Sequence, residues 1–309
     1  MTISTDAGNN HSRQLFRSLL FIPATKLRWI GNGVSAGADA LILDLEDAVA
    51  EADKPAAREA LKSIRAEDHG QVQLLARMNE IHSGHLLEDI QSIVASRCTG
   101  VVVPKAESVD DLKMLISALK LIEQNSNRTR PLDVHVMLES AAGIRRAFEL
   151  GSCDERVKSL MTGTIPDGDV ARSVGFTPTR SGLETLYLLS HVQLEGRAAG
   201  CATYAMVSAS VGHGEEEMQQ KLQQARNIGY TGATLIHPSH VLAANTTFGP
   251  SDEEIKRAER VLEALEQAHS ERRGAVALDG EMIDTAHGVT ARATLERASE
   301  YRLTASPIN

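Results

Sequence analysis

Charged side chains recur in one kind of place along this sequence, directly behind short apolar runs. Asp44, Glu46 and Asp47 follow ALIL, Arg77 and Asn79 close QLLARMN, and Lys105 closes GVVVPK. Glu139 ends VHVMLES, Asp167 and Asp169 follow SLMTGTI, and His237 ends GATLIHP. Glu139 with Asp167 or Asp169 suits a hard divalent ion such as Mg²⁺, which takes one or two protein carboxylates and completes its octahedron with water or substrate oxygens. No His and Cys cluster stands at ligand spacing, so zinc is not expected. The planar fork of Arg77 suits a carboxylate or a developing oxyanion. Each residue also has a plainer reading. Asp44 to Asp47 could cap a helix, Arg77 could neutralise Asp44 or Asp47, and Lys105 could form a structural ion pair. His237, before Pro238, could be a packing residue. His213, between Gly212 and Gly214, reads as a loop residue, since no dinucleotide fingerprint surrounds it.

The elements that must position these groups are legible as eight β-rich runs. They are Ser18–Thr25, Ala40–Asp47, Gln73–Asn79, Gly100–Lys105, Val134–Ser140, Ser159–Ile165, Cys201–Ser208 and Gly232–Pro238. Most are continuous rather than alternating, as in parallel strands covered on both faces. Between them, Lys54–Ile64 and Val109–Ile122 carry apolar residues at helical spacing, and Glu215–Ile228 begins with three Glu, as a helix N-terminus prefers. Eight strand-then-helix units predict an α/β fold, a (β/α)8 TIM barrel, with a doubly wound sheet as the alternative. Barrel enzymes place their chemistry at the C-terminal ends of the strands, so the charged exits converge on one mouth. Behind the barrel, Ser251–Ser270 reads as a long helix, Gly274–Asp284 as a hairpin turning at Asp279-Gly280, and Val289–Tyr301 as a last helix. The expected organisation is a loose arm at 1–13, a barrel at 14–250, and a C-terminal helix and lid segment at 251–309.

Composition narrows the partners. A formal charge of −9 over 309 residues argues against nucleic acid or an anionic membrane, yet leaves room for a phosphorylated ligand. Cys98, Cys153 and Cys201 are far apart and odd in number, which suits free thiols in a reducing compartment. The polar opening MTISTDAGNNHSR has no apolar core of a signal peptide, and no apolar run approaches a membrane span, so a cytoplasmic protein is expected.

Several stretches together carry a family resemblance: RSLLFIPAT, GADALILDLEDAVAEADKPAAREAL, ARMN, VVVPKAES, MLESAAGI, GYTGATLIHPSHV, FGPSDEEIKRAERVLEA and ALDGEMID. In this order they resemble the citrate lyase β-subunit-like family, which includes malyl-CoA and citramalyl-CoA lyases, over roughly residues 17 to 300. The resemblance implies a (β/α)8 barrel, a homotrimer or dimer of trimers, Mg²⁺, and reversible C–C cleavage of a 3-hydroxyacyl thioester. By motif, Arg77 is similar to the substrate-binding arginine, Glu139 to the first Mg²⁺ ligand, and Asp169, with Asp167 as the near alternative, to the second. Asp284 resembles the catalytic aspartate that a neighbouring subunit's C-terminal lid delivers. Asp47 is a further substrate-side candidate, and Arg17, Lys26 and Arg28 are candidates for the CoA phosphates. Three departures stand out: Ala24 where the family has Gly, a longer PDGD loop, and no Asp between Cys201 and Gly214. The implied substrate is citramalyl-CoA, yielding acetyl-CoA and pyruvate, or malyl-CoA. The alternatives are a β-subunit acting on a carrier-protein citryl thioester, and a catalytically silent CoA-binding module.

Overall fold

The computed structural model describes residues 15–179, 181–208 and 214–304; the arm at 1–13 and His213 lie outside them. Eight parallel strands close into a barrel in sequence order. They are β1 (Ser18–Pro23), β2 (Ala40–Asp44), β3 (Gln73–Arg77), β4 (Gly100–Val103), β5 (Asp133–Met137), β6 (Val157–Gly163), β7 (Ala202–Met206) and β8 (Gly232–Leu235). Leu19 registers with Ala40 on one side and Thr234 of β8 on the other, which closes the ring. The continuous apolar runs have two destinations. Leu19, Ile42, Leu75, Val102, Met137, Met161 and Tyr204 form one buried cluster, which fills the barrel. Their chain neighbours, such as Leu41, Leu74, Val101, Val134 and Val136, belong to the larger core under the surrounding helices. The doubly wound alternative is therefore set aside.

Most strands end two or three residues before the sequence suggests. Pairing of β2 with β3 stops at Asp44 and Arg77, so Glu46, Asp47 and Asn79 sit in the exit loops. Lys105, Glu139 and Ile165 likewise lie just past β4, β5 and β6.

The C-terminal extension carries its own small core of Ala258, Val261, Leu265, Ile283 and Ala291. Its first helix, Asp252–Ser270, is started by a capping box: Ser251 Oγ accepts the Glu254 N–H, and Glu254 accepts the Ser251 N–H. A hairpin of β9 (Ala275–Leu278) and β10 (Glu281–Asp284) follows, its turn residues Asp279 and Gly280 both at positive φ, as a tight hairpin turn requires. The last helix starts at Thr285 rather than Val289, because Asp284 Oδ1 accepts the Ala286 N–H and supplies a cap. None of the helices is long and apolar enough to cross a membrane among the described residues. All three cysteines are free thiols.

Candidate active site

The mouth is organised around Arg77. Its Nε and one terminal nitrogen donate to the two Asp44 oxygens at 2.7 and 2.6 Å. The other terminal nitrogen lies 3.0 Å from Glu46 Oε2 and 3.5 Å from Asp47 Oδ2, and the guanidinium stacks over Phe21. Burial alone would lower the proton affinity of Arg77, but the Asp44 bonds and the charges of Asp44, Glu46 and Asp47 raise it, so the cation is permanent. The plainer reading of Arg77, neutralisation of Asp44, is thus present, and the same side chain lines the cavity at the mouth. Asp44 also caps its own loop, accepting the Glu46 N–H at 2.9 Å and the Ala48 N–H at 3.1 Å.

Beneath this loop lies a group that sequence reasoning missed. Lys54, the first residue of the helix expected at Lys54–Ile64, is buried and donates to the Leu45 carbonyl at 3.0 Å, the Glu46 carbonyl at 3.2 Å and Asn79 Oδ1. Asn79 in turn donates to Asp89, which accepts from Arg58. The helix that follows the acidic loop therefore holds the loop's backbone in place.

Across the mouth, Lys105 has φ +49, an uncommon conformation for a residue with a side chain. This turns its N–H onto Glu139 Oε2 at 3.0 Å, while its ammonium reaches Glu46 Oε1 at 2.8 Å. The two loops approach this closely because Gly143 has no side chain; a Cβ there would sit 2.4 Å from the Ala106 carbonyl oxygen. Burial, opposed by the bonds and charges of Glu46 and then by Asp47 and Asp169, leaves the Lys105 ammonium pushed up to about 12. Glu139 behaves in the opposite sense: burial first, then the charges of Glu46 and Asp169, push it up to about 7, against the Lys105 N–H and Arg77.

Asp169 opens the short helix Asp169–Val174 and lines the same cavity as Glu139 and Arg77. It is ion-paired with Arg172, which also donates to the Asp167 carbonyl. Asp167 is exposed at φ +59 and does not line that cavity. The cavity itself, about 840 Å³, is mostly apolar: Leu20, Phe21, Trp29, Ile165, Met206 and Ile236 surround Asp44, Asp47, Arg77, Glu139 and Asp169. The apolar wall is the other part the sequence did not expose, since its residues read only as strand core. His237 lines the cavity too, but its Nδ1 accepts the Ser239 N–H at 3.2 Å and caps a turn.

Two candidates lie elsewhere. Arg17 precedes β1 and pairs with Asp39, which precedes β2, at 2.9 and 2.7 Å. Parallel strands start at one end, so Arg17 sits on the N-terminal face of the barrel, opposite the mouth, with its guanidinium 4.4 Å from the Tyr301 ring. The expectation that it meets CoA phosphates is corrected: being next to strand one in sequence placed it at the wrong end of the strand. Asp284 is exposed in the extension, does not line the mouth cavity of its own chain, and is held below the usual carboxylate range by its bonds to His287. Lys26 and Arg28 stay at the mouth end, exposed on the turn Ala24–Trp29 that leaves β1.

The donor set suits a hard cation. Five carboxylates, Asp44, Glu46, Asp47, Glu139 and Asp169, face Arg77 and Lys105, with Arg172 adding a third cation from the rim. Among the described residues no group of three or more His, Cys, Asp or Glu is gathered tightly enough to cage an ion.

A barrel with acids at its strand exits is the architecture of many enzymes, and comparison narrows it. The family model described as HpcH/HpaI aldolase/citrate lyase matches residues 17–238, and the chain belongs to that family, which includes lyases. It is 31% identical over 291 residues to a protein of Cereibacter sphaeroides named (3S)-malyl-CoA thioesterase, covering 93% of this chain and 96% of that one. It is 27% identical over 306 residues to a citrate lyase subunit beta of Leuconostoc mesenteroides, covering 97% and 98%. Among solved structures, CitE of Mycobacterium tuberculosis, in complex with magnesium, acetoacetate and coenzyme A, is 28% identical with a TM-score of 0.72, covering 93% of this chain and 99% of that one.

Proposed function

We propose that the protein is a Mg²⁺-dependent lyase that reversibly cleaves a 3-hydroxy-3-carboxyacyl-CoA, citramalyl-CoA or malyl-CoA, to acetyl-CoA and a 2-keto acid. The observation that carries this reading is the convergence of Arg77, Glu139 and Asp169 on one largely apolar cavity. Glu139 and Asp169 would hold the ion. Bound there, Mg²⁺ lowers the proton affinity of the substrate hydroxyl and neutralises its carboxylate. Arg77, rigidly held by Asp44 and Phe21, stabilises the oxygen that becomes the keto group. Lys105 fixes Glu139 and Glu46 relative to one another, and Asp47 borders the substrate. The apolar wall at Phe21, Trp29, Met206 and Ile236 excludes water from the enolate and seats the thioester arm. Lys26 and Arg28 remain candidates for the CoA phosphates. Asp284, from the lid of a second subunit in a homo-oligomer, protonates the enolate carbon in cleavage and takes a methyl proton in condensation. Closure over the apolar rim would raise its proton affinity from the low value of the exposed state.

A second reading has its own support, because relatives 31% identical to this chain are named thioesterases. Hydrolysis would attack the thioester carbon and leave the C–C bond intact. Incubating the protein and Mg²⁺ with citramalyl-CoA, malyl-CoA or citryl-CoA separates the two. Acetyl-CoA with pyruvate, glyoxylate or oxaloacetate is the expected product pair and names the substrate. Free CoA with malate, and no acetyl-CoA, would replace the lyase by the hydrolase. No turnover of any of the three moves the reading to a carrier-protein thioester, tested by adding the carrier, or to a silent module.

A further inference from the structure

Met206 ends β7, and its neighbour on β6 fixes where it sits. The strands pair Gly163 with Met206, and a Cβ on Gly163 would stand 2.3 Å from the Met206 carbonyl oxygen and 2.5 Å from its Cβ. A residue without a side chain permits that approach, so Met206 lies tight against β6. Its side chain packs, like that of Phe21, on the cluster that fills the barrel, and both residues line the mouth cavity. Ile165 lines it too, and its carbonyl accepts the Gly168 N–H at 3.0 Å in the turn that delivers Asp169. Ile165 and Met206 also border a second cavity of about 580 Å³, so they form part of the partition between the two.

Charge in the mouth is one-sided. Asp44, Asp47, Glu139 and Asp169 line the cavity, and among its described lining residues Arg77 is the one Lys or Arg. That guanidinium already faces Asp44, Glu46 and Asp47. His237 lines the cavity with its Nδ1 taken by the Ser239 N–H. A carboxylate beyond the one that chelates the ion would therefore be buried among acids without a cation of its own, whereas a hydrocarbon group meets an apolar wall.

Four groups surround the hydroxyl-bearing carbon at which the bond breaks. In the lyase reading above, on which this inference rests, its carboxylate and hydroxyl turn to the ion at Glu139 and Asp169 and to Arg77. The acyl arm leaves past Phe21 and Trp29, toward the turn after β1. The fourth substituent is left the β6–β7 side of the mouth, where Ile165 and Met206 stand. We propose that Met206, backed by Ile165, selects the 2-keto acid: it seats an uncharged, apolar substituent on that carbon and refuses a second carboxylate. The substrate is then a thioester that releases pyruvate or an alkyl homologue rather than oxaloacetate.

The experiment runs the reaction as condensation. Full-length protein, Mg²⁺ and acetyl-CoA are given glyoxylate, pyruvate, 2-oxobutanoate or oxaloacetate, and kcat/KM values are compared. Wild type should prefer pyruvate to oxaloacetate by about tenfold or more, the least that one misfitting group costs in an apolar pocket. Met206→Ala deepens the pocket and should raise the ratio of 2-oxobutanoate to pyruvate about tenfold. Met206→Phe fills it and should shift preference toward glyoxylate, while Met206→Leu, close in volume, keeps the wild-type order. A purely structural role for Met206 would lower all four acids together. Unchanged ratios in both Met206→Ala and Met206→Phe, or a wild type that takes oxaloacetate ahead of pyruvate, would overturn the assignment. Condensation of none of the four by the wild type would instead overturn the acyl-CoA lyase reading, and this inference with it.

Discussion

Glu139 shows what one residue's surroundings decide. Its carboxyl is buried between Glu46 and Asp169 and is pushed from the usual 4.5 up to about 7. Between those values the folded chain holds a proton that the unfolded chain has lost, so in metal-free protein this group adds stability as pH falls from about 7 toward 4.5. Raising pH through 7 removes that contribution. Glu139→Gln is neutral throughout and should flatten the slope: in EDTA, wild-type Tm minus variant Tm rises as pH is lowered from 8 to 6. Mg²⁺ competes with the proton for the carboxylate, so its stabilisation of the wild type should be larger at pH 8 than at pH 6 and largely absent in the variant. An equal Mg²⁺ effect in both proteins would remove Glu139 from the ligand set. The sequence disclosed that Glu139 and Arg77 stand at strand exits, because period and exit position are local properties. It did not disclose Lys54, whose burial depends on a loop folding back over the helix that carries it. The capping contacts between Asp284 and His287 were equally hidden, since the expected last helix began beyond both.

At the scale of elements, the eight strands were legible and their ends were not. Apolar continuity reports burial on both faces, whereas the end of a strand is set by where partners diverge. The loop after β6 is the instructive case. Asp167 and Asp169 are indistinguishable by spacing, but Gly168 precedes a helix that opens at Asp169 and turns its carboxylate inward beside Glu139. That helix also brings Arg172 one turn away, where it holds the Asp169 carboxylate. In the metal-free state Arg172 and a cation compete for the same oxygens. Replacing Arg172 with Gln should therefore tighten Mg²⁺ binding. Exposed pairs are worth about 0.2–1 kcal/mol, so the gain should reach at most about fivefold in Kd by calorimetry. Weaker binding in Arg172→Gln would show that Arg172 orients Asp169 for the ion instead of competing with it.

At the scale of the whole molecule, the barrel holds Arg77, Glu139 and Asp169, while Asp284, the proposed acid–base residue, sits on an extension with its own core. The far end of that extension is tied down at the other face of the barrel, where Tyr301 stacks on Arg17 beside Asp39. Asp284 lies at the opposite end of the same helix, about 25 Å from Tyr301 at 1.5 Å per residue. A cavity wall that includes Trp29 and Ile236, both well exposed, is an apolar rim that one chain leaves uncovered. The extension has a matching face: Met282 and Asp284 alternate with buried Ile283, so both point away from its core, and Val289 is exposed a turn further on. Such a face could cover the rim of its own chain or that of a second copy. Mixing two inactive variants decides between them. Glu139→Gln removes a ligand at the mouth, and Asp284→Asn removes the acid on the extension. If the extension acts in trans, exchanged oligomers contain some mouths with an intact Glu139 facing an intact Asp284. Activity should then return to about a quarter of wild type in an equal mixture, whereas each variant alone stays inactive. Recovery should track subunit exchange in time. Complete exchange, verified by mass, with no recovered turnover would place Asp284 over its own barrel.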